Sequence, residues 1–189
     1  MKRIRHFGPD KRIPYAASWT SERHDAAIRY DPLVGGLALF QSGKLGDGTP
    51  VLGKLHGPRQ RECVAKRLCQ VCHRHIKGQG VMVADPTMRH IRNIGTRTLV
   101  TEPLACRACA SVAARHCPGI RRMEQDGTFQ CGLVANYDIV VQLLDPNHPD
   151  FQGIPGNDGK TPFAGYLRYV PAGWRQLHSV EDLIRLARQ

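Results

Sequence analysis

The chain has few acidic side chains, few aromatic ones and no long apolar run. Its 189 residues include 27 Lys and Arg against 16 Asp and Glu, a formal net charge of +11, and only 6% aromatic residues. The longest gently apolar run, residues 33–40, contains two glycines and is too short to cross a bilayer. The basic N-terminus lacks the apolar stretch of a signal sequence. We therefore predict a cytoplasmic protein without a membrane segment.

The sequence also lacks the short motifs of common enzyme classes. It has no glycine-rich phosphate loop, no nucleophile elbow and no paired-carboxylate motif. The sequence therefore favours a protein without catalytic activity, and we expect no small-molecule substrate.

The positive charge is concentrated in the middle of the chain. Residues 1–50 carry 8 basic and 5 acidic side chains, residues 51–122 carry 14 and 3, and residues 123–189 carry 5 and 8. The middle segment therefore has a net charge of +11 and the last segment one of −3. Positive charge confined to one segment indicates a surface that binds a polyanion. The simpler alternative is a basic face that is only solvated.

Two Cys-x-x-Cys pairs, Cys69/Cys72 and Cys106/Cys109, lie within this basic segment. The chain has seven cysteines, an odd number with the spacing of metal knuckles, which argues against a secreted disulfide framework. Each pair places two sulfurs on one side of a tight turn, and two such turns supply the tetrahedral set that Zn²⁺ accepts. We predict a structural zinc ion bound by these four thiolates.

The residues around the cysteines predict the fold of the zinc module. Residues 57–68 form a short helix with Pro58 in its first turn, and residues 80–84 and 96–101 form strands. Residues 106–116 are alanine-rich and predict a helix that begins at the second cysteine pair. A treble clef has this order: a Cys-x-x-Cys turn, or knuckle, here at Cys69 and Cys72, then a β-hairpin, and then a helix that carries the last two ligands.

Other side chains near the knuckles are alternative ligands. His73 and His75 follow the first pair and stay open as substitutes for a cysteine, although four thiolates favour an all-cysteine site. Cys63 and Cys117 are better explained as buried small apolar residues than as ligands.

Two stretches resemble a known group of proteins. Residues 59–72, with the sequence RQRECVAKRLCQVC, and residues 100–110, with VTEPLACRACA, followed by Cys117-Pro118 and Arg121-Arg122, are similar to uncharacterised short cysteine-rich proteins of actinobacteria and their phages. The likeness covers about two thirds of the chain and leaves the last third unmatched. It implies a zinc site and a bacterial or phage origin, and it implies no activity.

The treble clef is also the scaffold of the HNH nucleases, whose zinc-bearing members carry the same two cysteine pairs. That resemblance requires a histidine pair or Asp-His after the first strand, an asparagine in the loop and a histidine after the last strand. Here Asp85 is followed by proline, and His75 comes too early in the sequence. His90, Asn93 and His116 are then the remaining candidates for the nuclease residues. The broken pattern makes a nuclease the third hypothesis.

If the partner is nucleic acid, arginine is the dominant side chain available for phosphate contacts. Arginine forms forked contacts with phosphate or with guanine edges. No Phe, Tyr or Trp lies between residues 51 and 122, which favours duplex DNA or structured RNA over stacked single strands. The candidate contacts are Arg59, Arg61, Lys66, Arg67, Arg74, Arg107, Arg115, Arg121 and Arg122.

The last third of the chain predicts strands around a long loop. Residues 129–137 alternate in polarity, residues 139–144 form a buried run, and residues 163–170 form another strand. Between them, residues 145–162 contain four prolines and three glycines. Residues 179–188 predict a capped amphipathic helix. Edge pairing or this helix would allow a second function, that of a protein-binding adaptor.

Together these features predict an α+β protein. A treble-clef zinc module at 57–122 is embedded in a mixed, strand-rich domain, with a strand and loop region at 1–56 and a strand-rich region at 123–189. The function we predict is non-catalytic nucleic-acid binding by an accessory or regulatory protein. The alternatives are a protein-interaction regulator and an HNH-like metal-dependent nuclease.

Overall fold

The computed structural model describes residues 13–22, 26–83, 87–91 and 95–186. These residues form a mixed α+β fold. Its strands are β1 (Ala17–Trp19), β2 (Ala26–Asp31), β3 (Gly36–Gln41), β4 (Pro50–Leu55), β5 (Gly80–Val83), β6 (Thr87–Ile91), β7 (Gly95–Leu99), β8 (Cys131–Val134), β9 (Tyr137–Leu144), β10 (Phe163–Pro171) and β11 (Trp174–Leu177). Its helices are α1 (Gly57–Ala65), α2 (Arg107–His116), α3 (Pro118–Gln125) and α4 (Val180–Arg185).

The largest sheet combines strands from both ends of the chain, in the order β2-β3-β10-β9. β3 and β10 are parallel and meet at Ala38 and Ala164, while the other neighbours are antiparallel. The second sheet has the order β11-β8-β5 and joins the cysteine-bearing segment to the last third. Sheets therefore cross both of the boundaries that separate residues 1–56, 57–122 and 123–189.

The predicted hairpin differs from the observed one. β5 pairs with β8, and β7 pairs with β6, so the strands predicted at 80–84 and 96–101 form but are not paired with each other. The reason is that β5 is buried at all four positions and sits between β8 and an antiparallel bridge to Ala105. A strand covered in this way is the centre of a core layer and not half of an exposed hairpin.

α1 is the helix predicted at 57–68, and it ends three residues earlier. The imidazole of His56 accepts the amide hydrogen of Arg59, which caps the helix, and Pro58 occupies its first turn. Its face is buried but not apolar, because Arg59, Gln60 and Arg61 point into the protein. In the side-chain amide of Gln60, Nε2 donates to the carbonyl oxygen of Thr101 at 2.6 Å. Its Oε1 accepts the backbone amide hydrogen of Leu167 at 3.1 Å.

The two arginines of α1 are ion-paired inside the protein, which corrects the prediction that they contact phosphate. Arg61 is fully buried, and its Nε lies 2.7 Å from Oδ2 of the buried Asp31. Arg59 holds the carboxylate of Glu22, also fully buried, with both of its terminal nitrogens. Neither guanidinium is available to a nucleic acid, since each is used to neutralise a carboxylate of the N-terminal segment.

The last third contains one wrong prediction and two elements that were not predicted. Residues 139–144 form a strand, but not a buried one, because Ile139, Val141 and Leu143 are 44%, 38% and 62% exposed. α3 and β11 were not predicted. β8, β10 and α4 agree with the predicted strands and helix, and Ser179 caps α4 by accepting the Asp182 amide hydrogen at 3.1 Å.

The long loop at 145–162 packs against the outer strand of the large sheet. The amide of Ile28 on β2 donates to the carbonyl oxygen of Pro155 at 2.8 Å. Gly156, with a φ of +85°, lies so close to β2 that a Cβ atom there would meet the carbonyl oxygen of Ile28 at 2.2 Å. The loop therefore covers this edge of the sheet. Among the described residues, no helix is both long and apolar enough to cross a membrane.

Candidate metal centre

The first cysteine pair lies in a tight reverse turn. An antiparallel bridge between Leu68 and His75 closes the turn, and inside it the Cys69 amide donates to the Arg74 carbonyl oxygen at 2.8 Å. The His73 amide in turn donates to the carbonyl oxygen of Cys69 at 2.8 Å, with His73 in the left-handed region at a φ of 59°. This folding back brings Cys69 and Cys72 to the same side of the turn.

The second pair lies at the start of α2. Cys106 is the N-cap residue, with an extended backbone and no side-chain capping bond, and the buried Cys109 follows in the first turn. Backbone bonds fix this helix beside the knuckle: the Gln70 amide donates to Leu104, and Ala105 exchanges two hydrogen bonds with Val81. The Cys106 amide hydrogen also points at the sulfur of Cys69, 3.2 Å from the nitrogen.

The four sulfurs have the spacing of a tetrahedral metal site. All four lie within 4.8 Å of one another, and the sulfurs of Cys72 and Cys106 are 4.0 Å apart. A zinc–sulfur bond of about 2.3 Å places tetrahedral ligands about 3.8 Å from one another. A disulfide needs about 2.05 Å, and all seven cysteines are free thiols. The thiols are therefore arranged to bind an ion and not to bond to each other.

The electrostatics of the cluster favour a cation at its centre. Hydrogen bonds from the thiols of Cys109 and Cys69 lower the pKa of Cys106, so its sulfur is the first to become a thiolate. The hydrogen bond to Cys106 raises the pKa of Cys69 to about 11, and the pKa of Cys109 is raised for the same reason. Neighbouring thiolates repel one another, so a divalent ion at the centre would stabilise the charged form of the set.

The site is half-buried, with Cys69 and Cys109 inside the protein and Cys72 and Cys106 partly exposed. Cys69 and Cys109 belong to the same buried cluster as Val71, Ile76 and Val81. Four protein ligands fill a tetrahedral shell and leave no position for a substrate or a reactive water, which is the arrangement of structural zinc sites. The chemistry that this centre can supply is folding free energy.

The alternative ligands lie apart from the four sulfurs. The imidazole of His73 stacks on Tyr15, with ring centroids 3.8 Å apart, and its Nε2 lies 3.3 Å from a carboxylate oxygen of Glu62. His75 is exposed. Cys63 is buried on α1, where burial raises the pKa of its thiol to about 12. None of these three residues, and not Cys117 either, belongs to the possible metal-ligand group found among the described residues.

Seven of the nine predicted phosphate contacts remain at or near the surface. Lys66 is exposed and pairs with Glu62 at 3.0 Å, and Arg67 is half-buried over the ring of Tyr137. Arg107 is half-buried and donates to the side chain of Gln79 at 3.3 Å. The others are exposed: Arg74 on the knuckle, Arg115 on α2, and Arg121 and Arg122 on α3.

The residues required by a nuclease are not brought together in the described part of the chain. Asp85, Asn93 and the side chain of His90 lie outside the described residues. His116 is exposed at the end of α2, and His75 is exposed in the turn that carries Cys69 and Cys72.

Comparisons with models of protein families, with curated proteins and with solved structures gave no match.

Proposed function

We propose that this chain is a zinc-stabilised basic protein that binds nucleic acid without catalysis, as an accessory or regulatory factor of bacterial or phage origin. One observation carries the proposal. The elements that supply the four thiols also carry arginines at or near the surface: Arg74 in the knuckle, and Arg107 and Arg115 on α2. A metal that orders these elements also orders the basic surface.

Zinc is the metal that best suits the donor set. Four thiolates are soft ligands, and a closed tetrahedral shell of sulfur selects Zn²⁺ or an iron–sulfur centre over harder cations. A single pocket with sulfurs about 4 Å apart suits one ion. In the proposed module, a treble clef would run from the knuckle through the β6-β7 hairpin to α2, with β5 diverted into the core sheet.

Duplex DNA or structured RNA is the proposed partner. The exposed arginines lie on helices and on a turn, and no aromatic side chain lies among residues 51–122 to stack on unpaired bases. Removing Arg59 and Arg61 from the list leaves a net charge of +9 for residues 51–122, from 12 basic and 3 acidic side chains. That charge is ample for binding dominated by phosphate contacts.

The test is a mobility-shift titration of the zinc-loaded protein against labelled duplex DNA and hairpin RNA across a salt series. We expect affinity to fall steeply with salt, and the double variant Arg107→Ala/Arg115→Ala to reduce the salt slope by about two, one for each lost contact. The control Arg29→Ala/Arg175→Ala removes the same charge from exposed strand positions and should bind like the wild type.

Three outcomes would contradict the proposal. Absence of binding at low salt would exclude a nucleic-acid partner. Equal losses in the two double variants would show that net charge, and not the zinc-module surface, is responsible. Cleavage of the labelled DNA on addition of Mg²⁺ would replace the non-catalytic proposal with a nuclease.

A further inference from the structure

β9 is an edge strand with an exposed apolar stripe. It is eight residues long and pairs with β10 on one side, with no strand of the described chain on its other side. Ile139, Val141 and Leu143 alternate along it and are 44%, 38% and 62% exposed. Residues at this spacing lie on one face of a strand.

The stripe lies on the core side of the sheet. Ile139 is opposite Tyr169 and Val141 is opposite Leu167, and these two partners on β10 are 0% and 1% exposed. Opposed residues of an antiparallel pair share a face. The face that forms the core under β10 therefore continues past the edge of the core onto β9, where nothing in the described chain covers it.

Among the residues that the structure describes, a loop covers the other edge of this sheet and no element covers β9. On β2, the loop at Pro155 accepts the Ile28 amide hydrogen, so that edge is covered. β9 contains no proline and no lysine, its one charged residue is Asp138 near its start, and the register shift between Ala164 and Leu167 lies on its paired side. Within the described part of the chain, β9 is therefore the uncovered edge of this sheet, and that edge is apolar.

The sequence of β9 is self-complementary in an antiparallel register. With Val141 opposite the same residue of a second copy, Ile139 faces Leu143, and both stripes fall on one face of a joined sheet. Val140 then faces Gln142, and Asp138 faces Leu144. The two Asp138 side chains lie six positions apart, about 20 Å along the strands, where salt screens their repulsion.

We propose that β9 is the interface of a two-fold homodimer, in which two four-stranded sheets join edge to edge. The occupant is a second copy because the strand matches itself without opposing like charges, while its lack of charge offers nothing to select an acidic or basic partner. A single strand pair is a small interface, so we expect association in the range of about 1–300 µM.

The experiment is sedimentation velocity of the zinc-loaded full chain across that concentration range, with hydrogen–deuterium exchange on the same samples. We expect a monomer–dimer equilibrium, with exchange in β9 slowing as the concentration rises and exchange in β2 unchanged. Val141→Lys and Leu143→Lys should each remain monomeric with unaltered zinc content and circular dichroism. Leu143 is the more exposed, so its replacement tests the interface even if Val141→Lys fails to fold.

Leu52→Lys is the matched control, because Leu52 is 58% exposed on β4, outside this sheet. It should associate like the wild type. A wild-type protein that stays monomeric throughout the range would overturn the proposal. So would a folded Leu143→Lys variant that still dimerises, or a wild-type dimer whose β9 amides exchange at a rate independent of concentration.

Discussion

Replacement of Arg61 by methionine tests whether the basic residues of α1 belong to the core or to the binding surface. In the folded chain, Arg61 donates to Asp31 at 2.7 Å, to the Leu39 carbonyl oxygen at 3.0 Å and to the Gly165 carbonyl oxygen at 2.8 Å. Arg61→Met keeps much of the side-chain volume and removes all three bonds. Asp31, 4% exposed, would keep the Leu33 amide bond and lose its counter-ion.

The expected loss of folding free energy follows from leaving the Asp31 carboxylate buried without its cation. Breaking one side of a buried ion pair costs about 3–5 kcal/mol, and the two carbonyl groups that lose the Arg61 donor act in the same direction. For a chain of this length, that loss lowers the melting temperature by about 6–20 °C. Since domains of this kind have about 5–15 kcal/mol of stability in total, the variant should be close to the limit of folding.

Urea denaturation followed by circular dichroism measures the effect, with Arg122→Met as the matched control. Arg122 is exposed on α3, so its replacement should change stability by less than about 0.5 kcal/mol. An Arg61→Met variant as stable as the control would refute the buried pair and would return Arg61 to the candidate phosphate contacts. Loss of nucleic-acid binding without loss of stability would have the same meaning.

Three further predictions concern the metal, pH and the long loop. Cys69→Ser should lose zinc and cooperative unfolding, because metal binding supplies folding free energy. The control Cys117→Ser should keep one zinc per chain. A Cys69→Ser variant with wild-type zinc content and melting temperature would contradict the four-cysteine site. Burial, reinforced by the charge of Arg59, lowers the pKa of His56 to about 4. As the pH falls, the imidazole of His56 is therefore protonated in the unfolded chain before it is protonated in the folded one. This group should lower the free energy of unfolding by about 3 kcal/mol between pH about 6.5 and 4. The control His56→Asn, measured alongside, should lack this loss. Gly156→Ala should lower stability by about 1–3 kcal/mol more than Gly153→Ala in the same urea assay. Both glycines have positive φ, but only at Gly156 would the added Cβ meet the backbone of β2. Equal losses in the two variants would show that the loop does not pack there.

The sequence was sufficient where a local pattern determines the structure. Two Cys-x-x-Cys pairs predicted four sulfurs in one place, and the described chain brings them within 4.8 Å. α1, α2 and β10 were also predicted, because capping residues, alanine content and apolar alternation act over a few neighbouring positions.

The sequence was insufficient where partners come from distant parts of the chain. Arg61 and Asp31 are 30 positions apart, so nothing beside Arg61 in the sequence distinguishes it from an exposed arginine such as Arg122. The apolar run at 139–144 has the composition of a buried strand, and only the sheet order reveals that it lies at an edge. The partner of β5 is likewise set by the whole sheet, since β8 begins 48 positions after Val83.

The polar face of α1 also determines whether this four-cysteine site could be moved to another protein, by evolution or by design. Zinc fingers are commonly portable, because a short segment and one ion make a complete unit that can be copied, repeated or grafted. Here a fragment of residues 57–122 would separate Arg59 from Glu22, Arg61 from Asp31 and Gln60 from Leu167. The four-cysteine segment therefore depends on the rest of this chain, and we expect it not to fold when it is transplanted alone.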